Sequence, residues 1–361
     1  MHIKRVDLFP VKLPYKTPFV TSYGTMTHKT AVIVQVETSS GVIGWGEASF
    51  ESFPGYDAET MVSGWHVLKD YLIPLVLNKQ IDTPTQTPDL LKRVRGNNFA
   101  KAGLEAAIWD AYARTHGISL SKLIGSMVDE VPNPRVAVGV AVGIQRDLEA
   151  TLHTAAAYID AGYTRLKFKI KPGADVAILR EVRQTFPHVM LMADANSAYT
   201  LDDAAHLAQL DNLNLLMIEQ PLAYNDLYEH SLLQSQIQTA ICLDESVKSA
   251  YDWQLALSIG AGKILNLKPG RVGGLTEALK IYRMQSGVCW IGGMLETGIG
   301  RAMLLALAAL PGFIIPGDIS ATDRYFEQDI IDKPFTLNAD GTLDVPDGDG
   351  IGVTFMNEGK L

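Results

Sequence analysis

Residues 165–169 read RLKFK, and the same kind of ending recurs down the chain: LMAD closes at Asp194, LLMIE at Glu219, AICLD at Asp244 and ILNLK at Lys268. The five charged residues Lys169, Asp194, Glu219, Asp244 and Lys268 follow one another at steps of 25, 25, 25 and 24 residues, each after a short apolar run. One strand plus one returning helix takes about that length, so the period predicts a βα repeat. Strands in such a repeat run parallel, and closing them into a barrel turns their carboxyl ends to a single mouth. Two lysines and three carboxylates then converge on one cavity.

Working outward from the repeat, strand candidates fall at 135–142, 165–170, 189–194, 214–219, 240–244, 264–268, 288–292 and 313–316, with amphipathic helices such as 147–161 and 200–210 between them. This alternation fits an α/β fold of the TIM-barrel type better than an open doubly wound sheet. Upstream the pattern changes. Residues 31–38 (AVIVQVET) and 42–47 (VIGWGE) flank Ser39-Ser40-Gly41, a hairpin signal that demands antiparallel pairing. Helical patterns follow at 57–77, 84–95 and 99–116, and Pro132 and Pro134 mark a linker. Past Asp323 the repeat gives way to a turn-rich segment, NADGTLDVPDGDGIG. The expected division is an α+β capping domain over 1–130, a catalytic barrel over 131–322, and a C-terminal segment over 323–361 that packs back on the cap.

Composition narrows the class. A hydrophobic fraction of 47% and a charged fraction of 20% in 361 residues are ordinary for a globular enzyme. The net charge of -9, with no basic stretch to neutralise phosphates, argues against nucleic acid as a partner. Cys242 and Cys289 both fall on predicted strands and read as packed thiols rather than a disulfide. The opening MHIKRVDLFPVKLP lacks the apolar core of a signal peptide, and the most apolar stretch, 302–310, is too short to span a bilayer. A cytoplasmic protein with no membrane partner is expected.

The carboxylates carry the chemistry. Mg²⁺ takes oxygen ligands in near-octahedral geometry and leaves positions for water or substrate. Asp194, Glu219 and Asp244, one from each of three consecutive strands, would leave half the shell open for a substrate carboxylate. Helix capping is the competing explanation for any one of them, but Glu219 precedes Gln-Pro and the others precede different turns. Asn196 shares a face with Asp194. Lys167 and Lys169 point to one side of their strand, with Leu166, Phe168 and Ile170 on the other. A barrel strand is covered on both faces, so inward lysines need a reason. Lys268 stands across the metal-bearing trio from Lys169. Opposed amines around a metal-held carboxylate fit removal of the proton α to that carboxylate.

Lys167-Phe-Lys169, Asp194-Ala-Asn196, Ile218-Glu219-Gln-Pro221, Leu243-Asp244-Glu245-Ser246 and Asn266-Leu-Lys268-Pro-Gly-Arg-Val-Gly-Gly274, in that order, resemble the muconate cycloisomerase subgroup of the enolase superfamily. GGMLETGIGR at 292–301 and PGDISATDRY at 316–325 resemble its o-succinylbenzoate synthase and N-acylamino acid racemase branch. The resemblance implies a modified (β/α)₇β barrel under an α+β cap. It implies Mg²⁺, with Mn²⁺ as a substitute, on Asp194, Glu219 and Asp244. Lys169 becomes the proton-abstracting base and Lys268 the opposite acid–base group or a cationic stabiliser. Lys167 and Asn196 are placed at the substrate and Glu245 behind the ligands. The implied reaction is syn-dehydration to o-succinylbenzoate on the way to menaquinone, or racemisation of N-succinylamino acids. The substrate is a small carboxylate, and a homo-oligomer is expected. Family members carry a hydroxyl residue near the end of the first barrel strand, where this chain has Ala141.

Two loops of the cap are expected to close the mouth: 16–27, with Phe19, Ser22 and Tyr23, and 49–56, with Phe50, Phe53 and Tyr56. Of these, Phe19 and Tyr56, together with Met294, are expected at the substrate. Glu296 reads either as a site residue or as the first-turn acid of a helix. Scattered histidines without paired spacing argue against zinc. Two other classes remain open at this point, a Schiff-base aldolase and a non-catalytic binding barrel, and neither needs the periodic carboxylates.

Overall fold

The computed structural model describes residues 1–22 and 24–356; Tyr23 and the last five residues lie outside it. Three antiparallel strands open the chain: β1 (Ile3–Val20), β2 (Thr25–Thr38) and β3 (Ile43–Ala48), with β2 central. The predicted hairpin is β2–β3. β1 carries Pro10 and Pro14, residues that argue against a strand in sequence; as an edge strand paired only to β2 it tolerates their missing donors. The Asn98–Thr115 helix packs on this sheet at Gly44 and Gly46, where a Cβ would collide with backbone at Ala107, Ala111 and Gly103. Glycine there lets helix and sheet touch directly.

Seven parallel strands follow in spatial order: β5 (Val140–Val142), β6 (Arg165–Lys169), β7 (Met190–Asp194), β8 (Ile218–Glu219), β9 (Ile241–Leu243), β10 (Ile264–Leu267) and β11 (Val288–Ile291). The eighth stave is short. The Asp318 N–H donates to Ile291 O (2.9 Å) and the Gly139 N–H to Gly317 O (2.8 Å), so 317–318 bridges β11 back towards β5. The expectation of a strand at 313–316 was displaced: Pro311-Gly312 and Pro316 break that run, and pairing begins only at Gly317. The helix expected at 200–210 is instead a series of short turns, 3₁₀ at Leu201–Asp203, α at Ala204–Leu207 and 3₁₀ again at Ala208–Leu213.

Alternation sorts the barrel residues. Leu166, Phe168, Leu191 and Leu243 join the core beneath the outer helices, while Met192, Met217, Cys242, Ile264 and Trp290 form a separate buried cluster. Met192, Met217, Cys242 and Ile264 share the parity of Asp194, Glu219, Asp244 and Lys268 and so lie on the same side of their strands, and the Trp290 ring lies under Arg165 and Lys167. β4 (Arg135–Ala137) pairs with the late strand β12 (Thr342–Asp344). Further along, the Ile351 N–H donates to Asp110 Oδ1 (2.7 Å) and the Phe355 ring packs 5.0 Å from Trp45. Both cysteines are free thiols. No helix among the described residues is long and apolar enough to cross a membrane.

Candidate active site

Strand register sets the site. Lys169 pairs with Asp194, and Asp194 with Glu219, so three charged ends stand abreast at one rim. Lys169 Nζ donates to Asp194 Oδ2 (2.7 Å) and Asn196 Oδ1 (2.6 Å). Lys167 Nζ sits among three acids, 2.6 Å from Asp318, 3.1 Å from Asp194 and 3.3 Å from Glu219. Two staves further on, Lys268 donates to Asp244 Oδ2 (2.8 Å), and the Arg271 guanidinium takes Asp244 Oδ1. Asn266 Nδ2 holds Glu219 Oε1 at 2.8 Å, and Asn196 Nδ2 holds Glu245 Oε1 at 3.0 Å. Asn196, two residues after Asp194, adopts φ 42°, a left-handed conformation.

Burial makes these pairings strong and unequal. Burial alone would raise the Asp194 pKa, but Lys169 and Lys167 outweigh it and hold it well below the carboxylate range. Asp244 is likewise lowered by Lys268 and Arg271 against its burial. Glu219 goes the other way: burial first, then repulsion from Asp194, pushes it up despite Lys167. Glu245 is raised by burial and by Asp244. Burial disfavours the Lys268 ammonium, yet Asp244 keeps its pKa above the ordinary lysine value.

Among the described residues, no three His, Cys, Asp or Glu side chains stand as a ready metal cage; Asp194 and Glu219 face lysines, and Asp244 faces Lys268 and Arg271. The donor set nevertheless fits a hard divalent cation. Asp194, Glu219 and Asp244 are acidic oxygens at 1% exposure or less, and crowding between them adds to the burial that lifts Glu219. Glu245 Oε2 and Asn266 Oδ1 are buried acceptors with no hydrogen-bond partner beside that crowd.

The cleft above is lined by both lysines, Lys167 and Asn196, with Phe19, Met26, Ala141, Met294, Leu295 and Tyr325 as its apolar walls. Structure thus brings Lys167, Lys169, Lys268, Asn196, Met294, Phe19 and Tyr56 to one cavity, with Glu245 behind Asn196. Tyr56 lines it, but its hydroxyl is already spent: it donates to Asp244 Oδ1 (2.8 Å), and Lys268 Nζ lies 4.3 Å from its ring centre. Two other aromatics of the same expected closing loop do not line the cleft. Phe50 is in the core of the cap against Gly64, and Phe53 is 65% exposed. Ser22 donates to the Asn196 carbonyl (3.3 Å), a cap-to-barrel contact, and Tyr23 lies outside the described residues. Glu296 is tied to the Met294 N–H (2.8 Å).

Sequence reasoning missed Asp318, Arg165 and Arg271. Asp318 bridges Lys167 and the fully buried Arg165 (2.6 Å to each), and Arg165 and Lys167 both stack over Trp290. Its pKa is pulled down to about 2 by those cations against its burial. The signal available was the period itself: Asp318 falls 50 residues after Lys268, two steps on, with the uncharged Gly292-Gly293 end of β11 at the step between.

A parallel barrel whose mouth gathers opposed lysines and buried acids defines a class, the barrel enzymes that work by acid–base chemistry on a bound acid. Comparison with known proteins supplies the family. Residues 3–125 match the family described as mandelate racemase / muconate lactonizing enzyme, N-terminal domain, and residues 150–359 match enolase C-terminal domain-like. The chain belongs to the enolase superfamily. It is 44% identical to the o-succinylbenzoate synthase of Bacillus subtilis over 98% of this chain and 94% of that protein. It is 42% identical to the N-succinylamino acid racemase of Thermus thermophilus over 98% of this chain and 95% of that one. A crystal structure of an enolase superfamily member from Listeria innocua superposes with a TM-score of 0.94 at 42% identity, covering 98% of this chain and 95% of the other.

Proposed function

We propose that this chain forms o-succinylbenzoate by Mg²⁺-assisted syn-dehydration, and that the same site racemises N-succinylamino acids. The observation that carries the reading is the placement of two lysines, Lys268 buried and Lys169 half-buried, each backed by a carboxylate, on staves either side of Asp194 and Glu219. The second reaction is favoured by one further fact: Lys169 and Lys268 both line the one cleft, so each has access to a substrate held between them.

Bound to Asp194, Glu219 and Asp244, a divalent cation supplies Lewis-acid stabilisation of developing negative charge. The chain's own residues do the rest. Lys169, released from Asp194, takes the proton α to the substrate carboxylate through Nζ. In dehydration the same Nζ returns that proton to the departing hydroxyl, so a C–H and a C–O bond break on one face, a C=C bond forms and water leaves. Lys268 stays an ammonium throughout, which Asp244 favours. In racemisation Lys268 instead delivers its proton to the opposite face of the carbanion. Lys167, fixed by Asp318, holds positive charge at the floor of the cleft, and the apolar walls exclude water from the reacting carbon.

The test pairs two assays on purified protein with Mg²⁺: absorbance of the aromatic product, and NMR of α-proton exchange for an N-succinylamino acid in D₂O. Turnover in the first supports the synthase, and exchange from both enantiomers supports the racemase. Failure of both would sink the proposal.

A further inference from the structure

Lys29 sits on β2 at 2% exposure, under the seam between cap and barrel. Its Nζ donates to two backbone carbonyls, Met294 at 2.8 Å and Phe50 at 3.4 Å. Those carbonyls belong to segments from opposite parts of the chain that wall the same cleft. Glu51 and Tyr56 follow Phe50, and Gly293 and Leu295 flank Met294. The second segment is not at rest: Leu295 has φ 56°, a left-handed conformation that costs a non-glycine residue on the order of 1 kcal/mol and persists only where its surroundings impose it. Burial draws the Lys29 pKa down, while Glu47, Glu296 and Glu51 favour its charge. A buried amine is costly to keep, and no proton transfer in the proposed reaction uses this one.

We propose that Lys29 is a positioning residue whose ammonium, bonded to the Phe50 and Met294 carbonyls, sets the spacing between the two walls of the substrate cleft. Only the kinetic arm of its test rests on the proposed function. Full-length wild type, Lys29→Met and Lys29→Arg are compared by hydrogen exchange with mass spectrometry, and by KM and kcat in whichever reaction the wild type performs. In Lys29→Met, exchange over 49–56 and 293–297 rises together, by about tenfold, while KM rises about tenfold and kcat falls by less. Lys29→Arg, which keeps a donor fork, recovers most of both. Unchanged exchange in either segment, or a loss confined to kcat, overturns the assignment. Should Lys29→Met fail to fold, Thr30→Val decides, since Thr30 Oγ1 also donates to Phe50 O (3.2 Å). With Lys29 in place both segments keep wild-type exchange; faster exchange over 49–56 would make Thr30 the pin and overturn the proposal. A wild type inactive in both reactions defeats the functional reading and leaves the exchange result in force.

Discussion

Replacing Glu105 by glutamine should stabilise the protein at pH 8 and do almost nothing at pH 4.5. Glu105 lies on the Asn98–Thr115 helix at 1% exposure, facing the turn that follows Lys268. One carboxyl oxygen accepts from the Thr276 N–H (3.2 Å), and the other has no partner. Burial raises its pKa from 4.5 to about 7. The sign follows from proton counts. Below the unfolded value both states hold the proton, and the group costs nothing. Between 4.5 and about 7 the unfolded chain releases it while the folded one does not, so stability falls as pH rises through that window. At 1.36 kcal/mol per pKa unit, the full loss is about 3 kcal/mol. Glutamine keeps the acceptor and removes the charge. With unfolding entropy of about 2.1 cal/mol/K per residue over 361 residues, 3 kcal/mol corresponds to roughly 4 °C in Tm. Thermal unfolding of both proteins at the two pH values is the assay. An equal Tm shift at pH 4.5 and pH 8, or a fall at pH 8, would refute the argument.

Lys169→Met should lower turnover by about 10²–10⁴-fold in either reaction, the usual worth of a positioned proton-transfer group; steady-state rates near wild type would move the base elsewhere. Gly292→Ala should slow turnover with the fold retained, because a Cβ there meets the Asn266 side chain that holds Glu219, and overpacking of this kind costs about 1–3 kcal/mol. Kinetics beside circular dichroism separate the two effects, and an active Gly292→Ala enzyme would show that Asn266 is not needed where it is. Treatment with EDTA should abolish turnover and lower Tm, and added Mg²⁺ should restore both, since a ligand bound only by the folded state stabilises it. Turnover that survives chelation would remove the cation from the mechanism.

The period of the charged strand ends made the barrel legible because one βα unit has a nearly fixed length, and each ligand candidate closes one unit. Its phase even sorted Lys167 and Lys169 from Leu166 and Phe168, since alternation is a property of any strand. Other residues stayed hidden for physical reasons. Asp318 sits on a stave too short to show alternation, directly after Pro316-Gly317, and the uncharged end of β11 interrupts the run of charges before it. Arg165 and Arg271, both buried, look in sequence like solvated ends of their elements; only the closed barrel turns them onto Asp318 and Asp244. Phe50 and Tyr56 stand six residues apart in one loop, and composition cannot say which enters the core of the cap and which reaches the cleft. That division is decided by Gly64, whose missing side chain leaves room for the Phe50 ring.

The hydroxyl of Tyr56 crosses from one half of the molecule to an acid in the other. The halves are therefore not interchangeable parts. A chimaera carrying a foreign lid on this barrel would strip Asp244 and Lys268 of a neighbour, however well the two surfaces matched. A change at Phe19 or Met26 in the lid leaves Asp244 untouched, whereas losing the hydroxyl at position 56 leaves that acid with Lys268 and Arg271 as its side-chain donors.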